Sequence, residues 1–218
     1  MVQALPARSR SQLSGLYALT PDGVATQQLA DRVRAVLAGR ATAIQYRNKN
    51  ATAALRLEQA QVLRQVCTAA GAIFIVNDDA ELADMVHADG VHLGRDDGTV
   101  TAARGRLGPE AIIGVSCYDS LTLAEAAVGA GADYIAFGSF FPSAVKPAAV
   151  RANAALLSAA KLRWNLPVVA IGGITVANAP PLIAAGADAI AVISAVFDAP
   201  DVKAAARTLA ELFDNRQQ

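Results

Sequence analysis

Residues 186–194 read Gly-Ala-Asp-Ala-Ile-Ala-Val-Ile-Ser, and this stretch decides the fold. Gly186 suits a left-handed helix stop, and Asp188 suits a short polar turn. Residues 189–193 form a short apolar run, and Ser194 is the first polar group beyond it. The junction recurs as Gly131-Ala132-Asp133 before the run 134–137, and in altered form as Ala88-Asp89-Gly90 before Val91. Each junction ends a helix-like segment and opens a strand-like one.

Working outward, the same alternation runs along the chain. Short apolar runs at 16–20, 43–47, 73–77, 90–93, 112–116, 134–137, 168–171 and 189–193 predict eight strands. Their nearly continuous apolar character suits parallel strands buried on both faces. Alanine-rich helical patterns lie between them, at 26–38, 53–70, 121–130 and 152–162, with a last helix over 201–213. Eight units in 218 residues leave roughly 27 residues each, near the lower end for a (β/α)8 TIM barrel. An open doubly wound sheet would need fewer strands or a longer chain. No early Gly-x-Gly-x-x-Gly follows a strand, so a dinucleotide fingerprint is missing. The expectation is an α/β chain in which 13–218 form one phosphate-binding barrel, with 1–12 as a loose leader.

Composition narrows the function. The chain is 54% hydrophobic, 17% charged and 5% aromatic, with alanine the commonest residue. That is too apolar for a disordered chain. Lys+Arg and Asp+Glu are 19 each, so the net charge is zero and a strongly basic nucleic-acid footprint is absent. No apolar run approaches the roughly 18 residues of a membrane-spanning helix. Arg8 and Arg10 precede no apolar segment of the kind a secretory signal carries. Two cysteines, Cys67 and Cys117, read as reduced thiols of a cytoplasmic protein.

In a barrel, chemistry gathers at the C-terminal ends of the strands. The second strand ends Gln45-Tyr46-Arg47-Asn48-Lys49, and alternation sets Gln45, Arg47 and Lys49 on one side. An amide, a guanidinium and an ammonium pointing together form an anion trap; the plain alternative is a solvated basic loop. The third strand ends Asn77-Asp78-Asp79, and the fourth continues into Asp96-Asp97. Neighbouring strands would let Asp78 and Asp97 converge on one Mg2+, which prefers carboxylates, water and substrate phosphates. Asp79 suits a helix cap, Asp96-Asp97 also suits a turn, and His87 and His92 read as structural more readily than as zinc ligands.

The fifth strand ends at Ser116, a hydroxyl suited to a ligand hydrogen bond or a cap, with no hydrolase elbow around it. The sixth is followed by a long junction containing Phe140, Phe141, Ser143 and Lys146. Its lysine is a second candidate for an anionic substrate. Gly172-Gly173 after strand seven and Ile193-Ser194 after strand eight lie where such barrels hold a phosphate. Two anion sites result. One is cationic and metal-assisted, using Arg47, Lys49, Asn77, Asp78, Asp97 and Lys146. The other is neutral, using Gly172, Gly173, Ile193 and Ser194. Together they point to transfer between two phosphorylated small molecules.

In this ordered set the chain resembles the thiamine-phosphate synthase family, from Leu16 to about Phe197. The resemblance lies in Gln45-Tyr46-Arg47-Asn48-Lys49, Val76-Asn77-Asp78-Asp79, Asp89 to Gly94 with Asp96-Asp97, Gly114-Val115-Ser116, Gly172-Gly173-Ile174 and Ile193-Ser194-Ala195. The family's Pro-Thr-x-Thr-Lys loop stands here as Pro142-Ser143-Ala144-Val145-Lys146, where Val145 lacks a hydroxyl. Tyr118 stands near where a histidine or threonine is frequent. The resemblance implies condensation of a hydroxymethylpyrimidine diphosphate with a thiazole phosphate, assisted by Mg2+. It implies Arg47, Lys49, Ser116 and Lys146 as catalytic groups and Asp78 and Asp97 as metal ligands. Gln45, Asn77 and Ser143 would hold substrate beside these cations, with Gly172, Gly173, Ile193 and Ser194 as the thiazole-phosphate cradle. The partners implied are small molecules rather than nucleic acid or membrane, and a homo-oligomer is allowed. The alternatives are a thiazole tautomerase of the same superfamily and a non-catalytic barrel that binds thiamine precursors.

Overall fold

The computed structural model describes residues 13–142 and 151–214. Eight strands close into a parallel barrel in sequence order, and β1 pairs with β8 to complete it. They are β1 Gly15–Leu19, β2 Ala43–Tyr46, β3 Ile73–Asn77, β4 Gly90–Leu93, β5 Ile112–Tyr118, β6 Tyr134–Phe137, β7 Val168–Ile171 and β8 Ala189–Val192. The helices are α1 Thr26–Ala38, α2 Ala53–Ala70, α3 Ala80–Met85, α4 Val100–Leu107, α5 Leu121–Gly129, α6 Ala155–Arg163, α7 Pro180–Ala184, α8 Ser194–Phe197 and α9 Val202–Glu211. The eight expected strands all form. β5 runs two residues further than the apolar pattern predicts, and α6 begins three residues later, at Ala155.

Strand alternation builds two cores. Leu16, Ile44, Phe74, Val76, Val91, Ile113, Ile135 and Phe137 face the helices. Tyr17, Ala43, Ile73, Ile75, Ile112, Tyr134, Ala136, Val169 and Ala189 fill the barrel. Two glycines make this interior possible. A Cβ on Gly114 would stand 1.9 Å from the Tyr134 ring, and one on Gly90 would stand 1.8 Å from the Ile112 carbonyl oxygen. Tyr134 therefore occupies volume that Gly114 leaves open.

The three junction aspartates do more than turn the chain. Asp89 accepts the Phe74 N–H of β3 at 2.8 Å, Asp133 the Ile113 N–H of β5 at 2.8 Å, and Asp188 the Val168 N–H of β7 at 2.8 Å. Each also pairs with a cation from the helix before that strand: Arg64, Arg104 and Lys161 respectively. One carboxylate thus satisfies a strand's exposed N–H and ties a helix to the barrel floor. At the start of β2, Thr42 does related work by donating to the Ser14 and Leu16 carbonyls.

Candidate active site

The strand register sets the polar residues of the mouth side by side. Asn77 is paired with His92, and His92 with Gly114. Continuing these rows brings Arg47 beside Asn77, and Ser116 beside Gly94. Gln45 and His92 are buried, Asn77 and Ser116 are half-buried, and all four lie on the inward-facing positions of their strands.

Arg47 is built in firmly. Thr20, fully buried just after β1, accepts the Arg47 N–H at 2.8 Å and donates to its carbonyl at 2.9 Å. Asp22 Oδ2 accepts from Arg47 Nη1 at 2.6 Å, and Asp22 Oδ1 accepts the Lys49 backbone N–H at 3.0 Å. Behind this loop, the buried Gln59 of α2 accepts from Tyr46 Oη and Asn48 Nδ2 and donates to the Val24 carbonyl. A single buried amide therefore joins the loops after β1 and β2. Asp22 lies in Pro21-Asp22-Gly23, which reads in sequence as an ordinary turn.

Lys49 reaches across to β3, its ammonium 3.0 Å from Asp78 Oδ2. Asp78 has φ of 65°, a left-handed conformation that aspartate tolerates better than most residues. Its N–H is held by the His92 carbonyl at 2.8 Å. Asp79 caps α3, accepting the Leu82 N–H at 2.9 Å, as its position predicts.

Asp97 folds back from the loop after β4 to accept the Gly94 N–H at 3.0 Å. Gly94 must lack a side chain for this, because a Cβ there would lie 2.5 Å from Asp97 Oδ2. Asp97 also comes within hydrogen-bonding reach of Asp78. Burial, followed by the hydrogen bond and charge of Asp78, holds its carboxyl above the ordinary range; the Gly94 N–H and Lys49 work against this rise. Two carboxylates crowded until one resists ionising are a donor pair suited to a hard divalent cation.

At the end of β5, Ser116 Oγ is 2.9 Å from His92 Nε2. It does not cap α5, which Ser120 does through the Leu123 N–H. Tyr118 turns to the loop after β4, where its hydroxyl accepts the Arg95 N–H at 3.4 Å and its ring lies 4.8 Å from the Arg95 guanidinium carbon.

At the end of β6, Phe140 is buried in the outer core and Phe141 packs against it, so both fill the loop. Phe141 N–H donates to the Gly172 carbonyl at 3.1 Å. Gly172 and Gly173 have φ of 95° and 64°, and added Cβ atoms would lie 2.1 Å from Ser139 Oγ and 2.4 Å from the Pro142 carbonyl oxygen. The glycine pair therefore lets the loops after β6 and β7 touch. Ile193 and Ser194 lie at the neighbouring end of β8. Ser143 and Lys146 fall outside the described residues.

A closed parallel barrel with cations, paired acids and a glycine turn around its C-terminal mouth has the architecture of a (β/α)8-barrel enzyme that acts on small molecules. The thiamine monophosphate synthase family model matches residues 16–196. A thiamine-phosphate synthase of Thiobacillus denitrificans is 57% identical over 199 residues, covering 91% of this chain and 94% of the relative. One of Chromobacterium violaceum is 55% identical, covering 94% of this chain and 99% of the relative. The solved thiamine phosphate pyrophosphorylase of Pyrococcus furiosus superposes with a TM-score of 0.82 at 38% identity, covering 94% of this chain and 98% of that one. The chain belongs to the thiamine monophosphate synthase family of transferases. Among the described residues, no helix is long and apolar enough to cross a membrane.

Proposed function

We propose that this chain joins a hydroxymethylpyrimidine diphosphate to a thiazole phosphate, giving thiamine phosphate and pyrophosphate. The observation that carries this reading is the cluster at the ends of β2, β3 and β4, where Lys49 bridges toward the crowded acids Asp78 and Asp97 beside Arg47. Asp78 and Asp97 would hold Mg2+, whose charge, when bound, offsets that of the departing pyrophosphate.

Arg47 offers a planar fork to the diphosphate oxygens, and Lys49 a mobile charge. With the diphosphate neutralised, the methylene C–O bond breaks and its electron pair leaves with the pyrophosphate oxygen. The electron-rich pyrimidine carries the resulting positive charge. The thiazole nitrogen lone pair then forms the new C–N bond, so charge and atoms balance. Gln45, Asn77 and Ser116 orient the diphosphate substrate, while Gly172, Gly173, Ile193 and Ser194 hold the thiazole phosphate. Lys146 and Ser143 join through the family pattern of the loop that carries them. Catalysis is then mainly positioning and electrostatic stabilisation. The two buried cysteines, Cys67 and Cys117, form no disulfide, which suits cytoplasmic work.

The tautomerase alternative needs a histidine free to move a proton on substrate. His92 does approach the mouth, but its ring nitrogens face Ser116 and Tyr134 at 2.9 Å each. The test is the magnesium dependence of turnover in Asp78→Asn and Asp97→Asn. Both variants should need far more magnesium while staying folded. Normal turnover of both at low magnesium would refute the metal assignment.

A further inference from the structure

A line of buried polar groups crosses the barrel beneath the mouth. Gln45 Nε2 donates to Tyr17 Oη at 2.7 Å. Tyr17 Oη lies 3.0 Å from Tyr134 Oη. Tyr134 Oη lies 2.9 Å from His92 Nδ1, and His92 Nε2 lies 2.9 Å from Ser116 Oγ. Both tyrosines are buried, and so are Gln45 and His92. The line therefore joins two mouth residues, on β2 and β5, through β1, β6 and β4.

One arrangement of the protons makes every contact in this line a hydrogen bond running the same way. An amide nitrogen only donates, and each phenol has one proton to give. Tyr17 accepts from Gln45, and in this arrangement its own proton goes to Tyr134. In the same arrangement Tyr134 gives its proton to His92 Nδ1. A ring nitrogen that accepts carries no proton, so the imidazole is neutral and is protonated on Nε2. Nε2–H then donates to Ser116 Oγ, and the serine's own proton points elsewhere. Burial raises the acid strength thresholds of Tyr17 and Tyr134 well above those of ordinary phenols, which keeps both protons in place. His92 is also stacked on Tyr134, with ring centroids 5.5 Å apart, so the ring cannot turn freely.

We propose that Gln45, Tyr17, Tyr134 and His92 form a one-way hydrogen-bond chain that makes Ser116 a donor toward an acceptor atom of the pyrimidine diphosphate. Tyr17, Tyr134 and His92 are positioning residues that act through Ser116. This rests on the functional reading only for the identity of the ligand that receives the serine proton.

The experiment is nitrogen NMR of the full chain labelled at histidine, without substrate. The chain has two histidines, and a His87→Gln variant assigns the signals. The expected result is one neutral tautomer at His92, protonated on Nε2. A proton on Nδ1, or a mixture, would overturn the proposal. Tyr17→Phe supplies the second measurement, because it removes the hydroxyl next to Tyr134, three links from Ser116. It should mix the tautomers and raise the KM for the pyrimidine diphosphate about tenfold, leaving that for the thiazole phosphate unchanged. An unchanged tautomer with an unchanged KM would overturn the chain. If Tyr17→Phe does not fold, the wild-type tautomer alone decides. The NMR needs no turnover, so an inactive protein would refute the functional reading separately.

Discussion

Asp22 Oδ2 lies 2.6 Å from Arg47 Nη1 while Asp22 Oδ1 accepts the Lys49 backbone N–H at 3.0 Å. One carboxylate thus aims the guanidinium and fixes the backbone of the lysine that follows. Asp22→Ala should raise the KM for the diphosphate substrate about tenfold, since a misaimed cation loses oriented binding. Asp22→Asn keeps an acceptor for Lys49 N–H and should recover part of the loss. Steady-state kinetics of the two variants check this; equal KM values for Ala and wild type would contradict it.

Asp97 carries a pH prediction. Its carboxyl is raised, chiefly by burial and then by Asp78, so in the folded protein it takes up a proton at higher pH than an ordinary aspartate. Divalent-cation affinity should therefore begin to fall on acidification above the usual aspartate range. The sign for folding is opposite to that of a salt-bridged acid. Without metal, the ionised pair costs stability above the unfolded-state pKa, and the cost is relieved as pH falls through the raised value. Asp97→Asn should then stabilise the metal-free fold by less than about 1 kcal/mol, because the group is partly solvated. Magnesium titrations across pH and thermal melts measure both effects.

Gly94→Ala should mimic loss of Asp97 without unfolding the barrel. Its Cβ would meet the Asp97 carboxylate oxygen at 2.5 Å, and the far end of a side chain can move. The magnesium requirement should rise while the melting temperature changes little.

Gly114→Ala should behave differently. The new Cβ would lie 1.9 Å from a fully buried tyrosine ring that has no room to retreat. A stability loss of about 3 kcal/mol is expected. Denaturant unfolding of the variant checks this, and a wild-type midpoint would contradict it.

The eight strands were legible because each is a short apolar run closed by a polar or glycine junction. Helices α1 and α2 were equally legible because they are long and periodic. Helices α3, α7 and α8 are six, five and four residues long, too short to show a period. β5 outran its reading because Cys117 and Tyr118 continue the ladder past a register shift after Ser116. The candidate residues at the strand ends were legible from alternation and charge. Asp22 was not, because a Pro-Asp-Gly turn looks the same whether or not its carboxylate meets an arginine from another strand. Tyr17 and Tyr134 were hidden as well. In sequence they are aromatic residues of apolar strands, and only barrel closure brings their hydroxyls together.

The mouth of this barrel is proposed to expel pyrophosphate and join the two rings. The most direct measurement mixes the protein with both phosphorylated substrates and magnesium, after calorimetry has shown that each binds, and quantifies both products. The expected result is thiamine phosphate and pyrophosphate in a one-to-one ratio. Bound substrates that yield neither product would contradict it and favour a barrel that only holds thiamine precursors.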